Sequence, residues 1–205
     1  MSKYTPDTKK QFEDKVIIVT GSTQGSGAET AKLFAARGAK AITICGRQEN
    51  KGFQIKKDIE QLGAKCLYVK ADLSKIEDCK RIVELTDKEF GTVHSLVNIA
   101  GYTERGTVLS ATLENYEKNF NVNARAPFIL TQEAVKIMIR DKNKGTIANL
   151  LSMAMYSGMP FLTAYSGSKA ALAIMTKNIA NALTGHQIRV NALNIGWTDT
   201  PAEHD

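Results

Sequence analysis

The sequence predicts a single α/β domain built on a doubly wound parallel sheet. Short β-branched runs alternate with longer amphipathic stretches along the whole chain, the pattern of folds made from right-handed strand–helix–strand crossovers. Glycine-rich and polar segments directly follow the predicted strands, and open parallel sheets bind ligands at that edge. A chain of 205 residues is long enough for one domain with a sizeable core.

The N-terminal half contains four predicted strands separated by three predicted helices. The strands are 16–20, 41–44, 65–70 and 95–98, and their nearly continuous apolar runs fit strands buried on both faces. The helices are about 28–37, a stretch through Ile55 and Ile59 to Leu62, and 76–90. Gly63 closes the second helix, since glycine commonly ends one.

The C-terminal half continues the same alternation. One long helix is predicted from about Leu113 into 136–140, followed by a strand at 145–151. The segment around Tyr165 predicts a helix to about Leu183, and a sixth strand follows at 188–193. We therefore expect six parallel strands with helices over both faces of the sheet.

A glycine-rich turn, TGSTQGSG at 20–27, follows the first strand and opens a helix. Gly21, Gly25 and Gly27 let the backbone turn sharply and approach a ligand without a Cβ. The helix behind them presents free N–H groups and a partial positive charge, which suits a pyrophosphate. With Asp72 ending the third strand, the pattern predicts dinucleotide binding.

Tyr165 and Lys169 stand four residues apart in a predicted helix, so their side chains share one face. The spacing alone also fits a tyrosine at the edge of the core with a lysine reaching past it. A free tyrosine is a poor base at neutral pH, and a lysine ammonium one turn away favours the phenolate. The pair follows Ser152 at the end of the fifth strand, which favours a catalytic role.

Four segments occur in an order that resembles the short-chain dehydrogenase/reductase family over about residues 13–203: TGSTQGSG, NIAG at 98–101, the serine of NLLSM, and YSGSK at 165–169. The resemblance implies a Rossmann-type fold and an NAD or NADP cofactor. It also implies hydride transfer between the nicotinamide and a small alcohol or carbonyl substrate. The expected assembly is a homodimer or homotetramer.

The resemblance also implies roles for individual residues. The catalytic residues match Ser152, Tyr165, Lys169 and Asn123, with Asn121 as a second candidate for the asparagine. Tyr165 would exchange a proton with the substrate oxygen, Ser152 would hold that oxygen, and Asn123 would hold a water of the proton relay. Lys169 would also bind the nicotinamide ribose. The predicted cofactor-binding residues are Gly21, Thr23, Gln24, Ser26, Gly27, Arg47, Asp72, Leu73, Asn98, Ala100, Gly101, Tyr165, Lys169, Gly196, Thr198 and Thr200.

Several of these residues have structural alternatives. Ser152 could cap a turn, Asn123 could bond to backbone, and Asp72 could cap the helix that follows it. Arg47 could be an ordinary surface arginine at the start of a helix. The methionine-rich stretch 153–161 fits either core or the wall of an apolar pocket.

The end of the second strand predicts NADP rather than NAD as the cofactor. A carboxylate there would bond both adenine-ribose hydroxyls and repel a 2′-phosphate, but position 46 is glycine. Arg47 follows with a guanidinium suited to a phosphate, and Thr23 and Gln24 could add hydrogen bonds. Against NADP, Gln24 stands where the family often places a basic residue.

Composition argues against other classes of function. The excess of 27 Lys and Arg over 21 Asp and Glu is scattered, whereas nucleic-acid binders gather basic residues into a stripe. No apolar run approaches the length of about 18 residues that a membrane span needs, and no secretory signal opens the chain. Neither the three cysteines nor the three histidines have metal-ligand spacing. We expect a cytoplasmic protein with no metal and no membrane or nucleic-acid partner.

The C-terminal end departs from the family pattern. Members usually continue through a further strand and a segment that covers the substrate, both of which are missing from these 205 residues. Asn194-Ile195-Gly196 also stands where Ser-Pro-Gly is common. Two alternatives to an active enzyme follow: a dinucleotide-binding sensor or scaffold without turnover, or an incomplete enzyme chain.

Overall fold

The computed structural model describes residues 8–198, and its centre is a six-stranded sheet in which every pairing is parallel. The strands are β1 (Val16–Val19), β2 (Ala41–Gly46), β3 (Lys65–Lys70), β4 (Ser95–Asn98), β5 (Thr146–Ser152) and β6 (Arg189–Ile195). Their order is β3-β2-β1-β4-β5-β6. Successive strands are therefore added toward one edge of the sheet from β1 to β3 and toward the other edge from β4 to β6. Doubly wound sheets form a ligand crevice at this switch point, between β1 and β4.

In the described part of the chain, six α-helices connect and cover these strands: α1 (Gly25–Ala36), α2 (Glu49–Gln61), α3 (Ile76–Phe90), α4 (Leu113–Phe120), α5 (Ala126–Arg140) and α6 (Thr163–Ala182). The long helix predicted from Leu113 is interrupted by a π-helical turn at Asn121–Arg125. Pro127 lies at the start of α5 and has no N–H to donate to the main-chain oxygen of Asn123, four residues earlier. The backbone shifts to five-residue spacing just before it, with Ala126 N bonded to Asn121 O.

Two apolar clusters hold the helices against the sheet. One joins α3, α5 and α6 to its first face, and the other joins α1 and α2 to its second face. β1 and β2 are almost wholly buried. In β5 only alternate residues are buried, and in β6 only Val190 is. The expected cover over both faces thus holds for β1 and β2, but within residues 8–198 it does not extend to β5 and β6.

Candidate active site

A cleft of about 330 Å³ opens at the carboxyl ends of the strands, around the crossover between β1 and β4. Ten of the predicted cofactor-binding residues line it: Gly21, Thr23, Gln24, Ser26, Gly27, Arg47, Asp72, Leu73, Ala100 and Gly101. Asn98 is buried behind it, whereas Gly196 and Thr198 are exposed beyond the end of β6. Thr200 lies outside the described residues. The structure thus brings together residues from four separate predicted segments, each of which follows a strand.

The glycine turn is shaped by close backbone contacts. Gly21 has φ +63°, and a Cβ on it would lie 2.7 Å from the Cα of Ala100. A Cβ on Gly27 would collide with the main-chain oxygen of Gly21. Gln24 precedes α1 without capping it by its side chain, so the first N–H groups of α1 remain available to an anion.

Hydrogen bonds tie this turn to its neighbouring strands. The hydroxyl of Ser22 accepts from Cys45 N at 3.0 Å. On the other side, Thr20 Oγ1 accepts from Ile99 N at 3.1 Å and from Ala100 N at 3.2 Å. The turn is therefore fixed relative to both β2 and the segment that follows β4.

Asp72 closes the cleft beyond β3. Its Oδ1 accepts from Ser74 N at 3.0 Å and from the Ser74 hydroxyl at 2.8 Å. The structural alternative, in which Asp72 caps the next helix, is wrong, because α3 begins at Ile76 and its N-cap position is Lys75. Partial burial raises the pKa of Asp72, but the Ser74 bonds and the charges of Arg47 and Lys75 outweigh it, so this pKa lies below its usual value.

The end of β2 has no room for a side chain at position 46. A Cβ on Gly46 would lie 2.5 Å from Thr23 Oγ1, so Thr23 occupies the space an acidic residue would need. Arg47 follows, exposed at the cleft edge. Lys51, which the sequence analysis missed, donates to Gln24 Oε1 at 2.6 Å and brings a second cation from α2 to this edge.

Tyr165 and Lys169 lie side by side on α6. The Lys169 Nζ is 5.9 Å from the centre of the Tyr165 ring and donates to Leu150 O at 2.8 Å. A Cβ on Gly101 would be 3.9 Å from this Nζ, so the lysine reaches the cleft lining. Only 4% of Lys169 is exposed, and burial lowers its pKa to about 8.

Asn123 is fully buried in the π-helical turn and bonds outside its own helix. Its Oδ1 accepts from Tyr102 N and its Nδ2 donates to Tyr102 O, both at 2.8 Å. Nδ2 also lies 3.0 Å from the hydroxyl of Ser168, which donates to Tyr165 O at 2.6 Å. Asn123, rather than Asn121, thus joins the post-β4 segment to the helix that carries Tyr165.

Ser152 ends β5, two residues beyond the Leu150 oxygen that holds Lys169. Its hydroxyl accepts from Ala154 N at 3.2 Å and caps a short 3₁₀ turn, so the structural alternative for this serine is present. A hydroxyl keeps a donor and a second lone pair after such a bond. The stretch 153–161 is not core, since Met153 is 51% and Phe161 38% exposed.

Other lining residues were missed by the sequence analysis. They are Cys45, Gln48, Ala71, Tyr102, Thr103, Lys118, Val122 and Leu150, whereas Gly25, Gly46 and Ile99, which also line the cleft, belong to segments that the sequence had already indicated. The position of Tyr102 and Thr103 just after the NIAG segment was a usable signal. Lys118 and Val122 share a helix face by their four-residue spacing, but nothing in the sequence showed that this face meets the glycine turn.

Comparison with known proteins identifies the family. The short chain dehydrogenase profile matches residues 15–205. The chain belongs to this short-chain dehydrogenase family. One relative is a 3-oxoacyl-acyl-carrier-protein reductase of Thermotoga maritima, 35% identical over 191 residues, which are 93% of this chain and 77% of the relative. An uncharacterized oxidoreductase of the same organism is also 35% identical, over 92% of this chain and 74% of the relative.

Solved structures agree with the family assignment. Acetoin dehydrogenase from Salmonella typhimurium superposes with a TM-score of 0.87 at 31% identity, covering 92% of this chain and 74% of that one. A xylitol dehydrogenase bound to NAD⁺ gives 0.86 at 28% identity, covering 92% and 72%. The Rossmann-type parallel sheet expected from the sequence is thereby confirmed. Among residues 8–198, no helix is both long and apolar enough to cross a bilayer.

Proposed function

We propose that the protein is an NAD(P)-dependent oxidoreductase that moves hydride between a nicotinamide cofactor and a small alcohol or carbonyl substrate. The observation that carries the proposal is the Tyr165/Lys169 pair, whose lysine reaches Gly101 and Leu150, two residues that line the same cleft as the glycine turn. A sensor or scaffold would need the turn but would have no use for the pair.

The cleft fits a dinucleotide. The uncapped start of α1 would hold the pyrophosphate, Asp72 and Leu73 would meet the adenine, and Lys169 would bind the nicotinamide ribose. Gly21 and Ala100 line the cleft in close backbone contact, since a Cβ on Gly21 would lie 2.7 Å from the Cα of Ala100. When bound, the cofactor supplies a ring carbon that gives or takes hydride.

The chain's own residues handle the proton. Tyr165 gives a proton to the substrate oxygen during reduction and takes it back during oxidation, which is worth roughly 10²–10⁴ in rate. The nearby Lys169 ammonium stabilises the phenolate, and Ser152 holds the substrate oxygen. Asn123 holds a water of the relay, since Pro127 offers its main-chain oxygen no N–H.

NADP is the proposed cofactor, with NAD as the alternative. Thr23 fills the position of a repelling carboxylate at Gly46, and Arg47 and Lys51 place two cations at that edge. Lys51 makes up for the missing basic residue at position 24, because it reaches Gln24 from α2. A guanidinium and an ammonium together suit the two charges of a 2′-phosphate.

The remaining parts of the proposal concern assembly and location. Ile174 on α6 is 54% exposed, and Phe128 and Ile139 on α5 are also exposed. Large apolar side chains on neighbouring helices fit an interface between copies, so we propose a homodimer or homotetramer. We also propose a cytoplasmic location, with no nucleic-acid or membrane partner.

A substrate panel tests the function. Purified protein is mixed with a series of small ketones and alcohols, each with NADPH, NADH or the oxidised forms, and the nicotinamide absorbance is followed. We expect turnover of at least one carbonyl–alcohol pair, with the lower KM for NADP(H). Tight cofactor binding with no turnover across the panel would instead support a sensor or an incomplete enzyme.

A further inference from the structure

Lys118 is a cation in the cleft lining to which the family motifs assign no role. It lies on α4, and among the residues that line the cleft only Lys118 and Arg47 carry a positive side chain. Arg47 stands at the β2 edge, whereas Lys118 enters from the helix that follows β4. The two cations therefore lie at different parts of the cleft.

An aromatic ring holds the Lys118 side chain. Its Nζ lies 4.4 Å from the centre of the Tyr102 ring, a distance at which an ammonium is attracted to the ring face. Tyr102 is itself immobilised, because its backbone makes both 2.8 Å bonds to Asn123 and its hydroxyl donates to Glu104. The lysine thus rests on a fixed platform.

That platform adjoins the glycine turn. Ala100, two residues before Tyr102, packs against Gly21 so closely that a Cβ there would be 2.7 Å away. Lys118 is half-buried and, within residues 8–198, forms no ion pair with a carboxylate. Its place in the last turn of α4 does not stabilise a helix end, since the chain continues through the π-helical turn into α5.

A pyrophosphate carries two negative charges, and a helix N-terminus offers only about half a positive charge. We propose that Lys118 binds the pyrophosphate of the cofactor from the β4 side of the cleft, while the start of α1 binds it from the β1 side. This rests on the proposed dinucleotide cofactor. Lys118 then contributes affinity for NAD and NADP alike, and Arg47 contributes only to the choice between them.

Binding titrations separate these roles without any turnover. Calorimetry measures the affinity of ADP-ribose, NAD⁺, NADP⁺ and adenosine for the wild type, Lys118→Ala and Arg47→Ala. We expect Lys118→Ala to weaken the three pyrophosphate ligands by about tenfold each, the loss of one charge-assisted contact, and to leave adenosine unchanged. Lys118→Arg restores most of the affinity. Lys136→Ala, which removes an exposed lysine of α5 outside the cleft, changes none of the four.

Each other result counts against a specific claim. If ADP-ribose binds Lys118→Ala as it binds the wild type, the pyrophosphate contact is disproved even though the cofactor proposal stands. If adenosine weakens equally, Lys118 is structural and the inference fails. Wild-type protein that binds no pyrophosphate ligand overturns both. Equal wild-type affinities for NAD⁺ and NADP⁺ remove the NADP preference alone.

Discussion

Lys169, for which we propose a catalytic role, lies in an environment that disfavours its charge. Burial takes its pKa from an ordinary 10.5 to about 8. Below pH 8 the folded protein must hold an ammonium where the neutral amine is preferred, which lowers stability. Between pH 8 and 10.5 the folded form has released this proton while the unfolded chain still binds it, so the penalty shrinks as pH rises.

Lys169→Met tests the direction in which pH changes the stability of the folded protein. The variant should have a larger free energy of unfolding than the wild type at pH 7, and this advantage should shrink by about 1 kcal/mol by pH 9. Urea unfolding of the cofactor-free protein at both pH values measures it, with Lys136→Met as the exposed control. An advantage that stays constant or grows with pH would disprove the buried-ammonium account.

We propose that cofactor choice depends on Arg47. Arg47→Ala should narrow the difference in binding free energy between NADP(H) and NAD(H) by about 1.5–3 kcal/mol, the value of a charge-assisted contact. Fluorescence titration of both cofactors against wild type and variant measures this. A variant that binds both cofactors more weakly by the same factor would show that Arg47 does not recognise the phosphate.

At the scale of elements, a row of buried asparagines links α4 to α6, the helix that carries Tyr165. Asn119 Nδ2 donates to Asn115 Oδ1 at 3.0 Å, and its Oδ1 lies 3.4 Å from Asn123 Nδ2. Asn123 continues the row to Ser168 on α6. These side chains satisfy one another in an environment where an unpaired polar group is costly, and so they fix the π-helical turn against α6.

Asn119→Val should disturb both stability and rate. We expect a loss of about 1–3 kcal/mol in the free energy of unfolding, together with a lower kcat at an unchanged KM for cofactor, because Asn123 loses a neighbour that orients it. Thr86→Val is the matched control, since it removes a buried 2.9 Å bond to Thr43, which joins α3 to β2 and involves no residue of the row. If both variants lose stability but keep kcat, the asparagine row is purely structural.

The sequence predicted most helices and strands, but not the π-helical turn after α4 or the residue at the N-cap of α3. The helix from Leu113 was visible in its periodicity, and Pro127 was a signal for the π-helical turn that the periodicity concealed. Likewise, Asp72 follows β3 as expected, but whether an aspartate caps a helix or bonds a nearer Ser74 depends on one backbone turn. Such choices are set by tertiary packing, which local sequence does not encode.

For the whole molecule, motif order predicted which residues meet at the sheet edge, because parallel strands bring their carboxyl ends together. It could not predict contacts that depend on helix docking, such as Lys118 over Tyr102 or Lys51 at Gln24. The partial exposure of β6 had a signal in the sequence, since the polar Arg189 and Asn191 alternate with Val190. The apolar parts of this strand hid that alternation.

Assembly is also a property of the whole molecule. We expect light scattering at micromolar concentration to show a dimer or tetramer, and Ile174→Glu to shift it toward monomer by placing a charge in the α6 interface. Leu33→Glu, at a similarly exposed position on α1, should leave the mass unchanged. A monomeric wild type, or equal effects of both variants, would contradict an interface on α6.

The central claim is that Tyr165 transfers the proton that accompanies hydride transfer. The most direct measurement compares wild type with Tyr165→Phe, recording cofactor affinity by titration and kcat on the best carbonyl substrate. We expect nearly unchanged fold and cofactor affinity, with kcat lower by roughly 10²–10⁴. A variant that binds cofactor normally and keeps more than about a tenth of wild-type kcat would contradict the account, because positioned proton transfer is worth far more than tenfold.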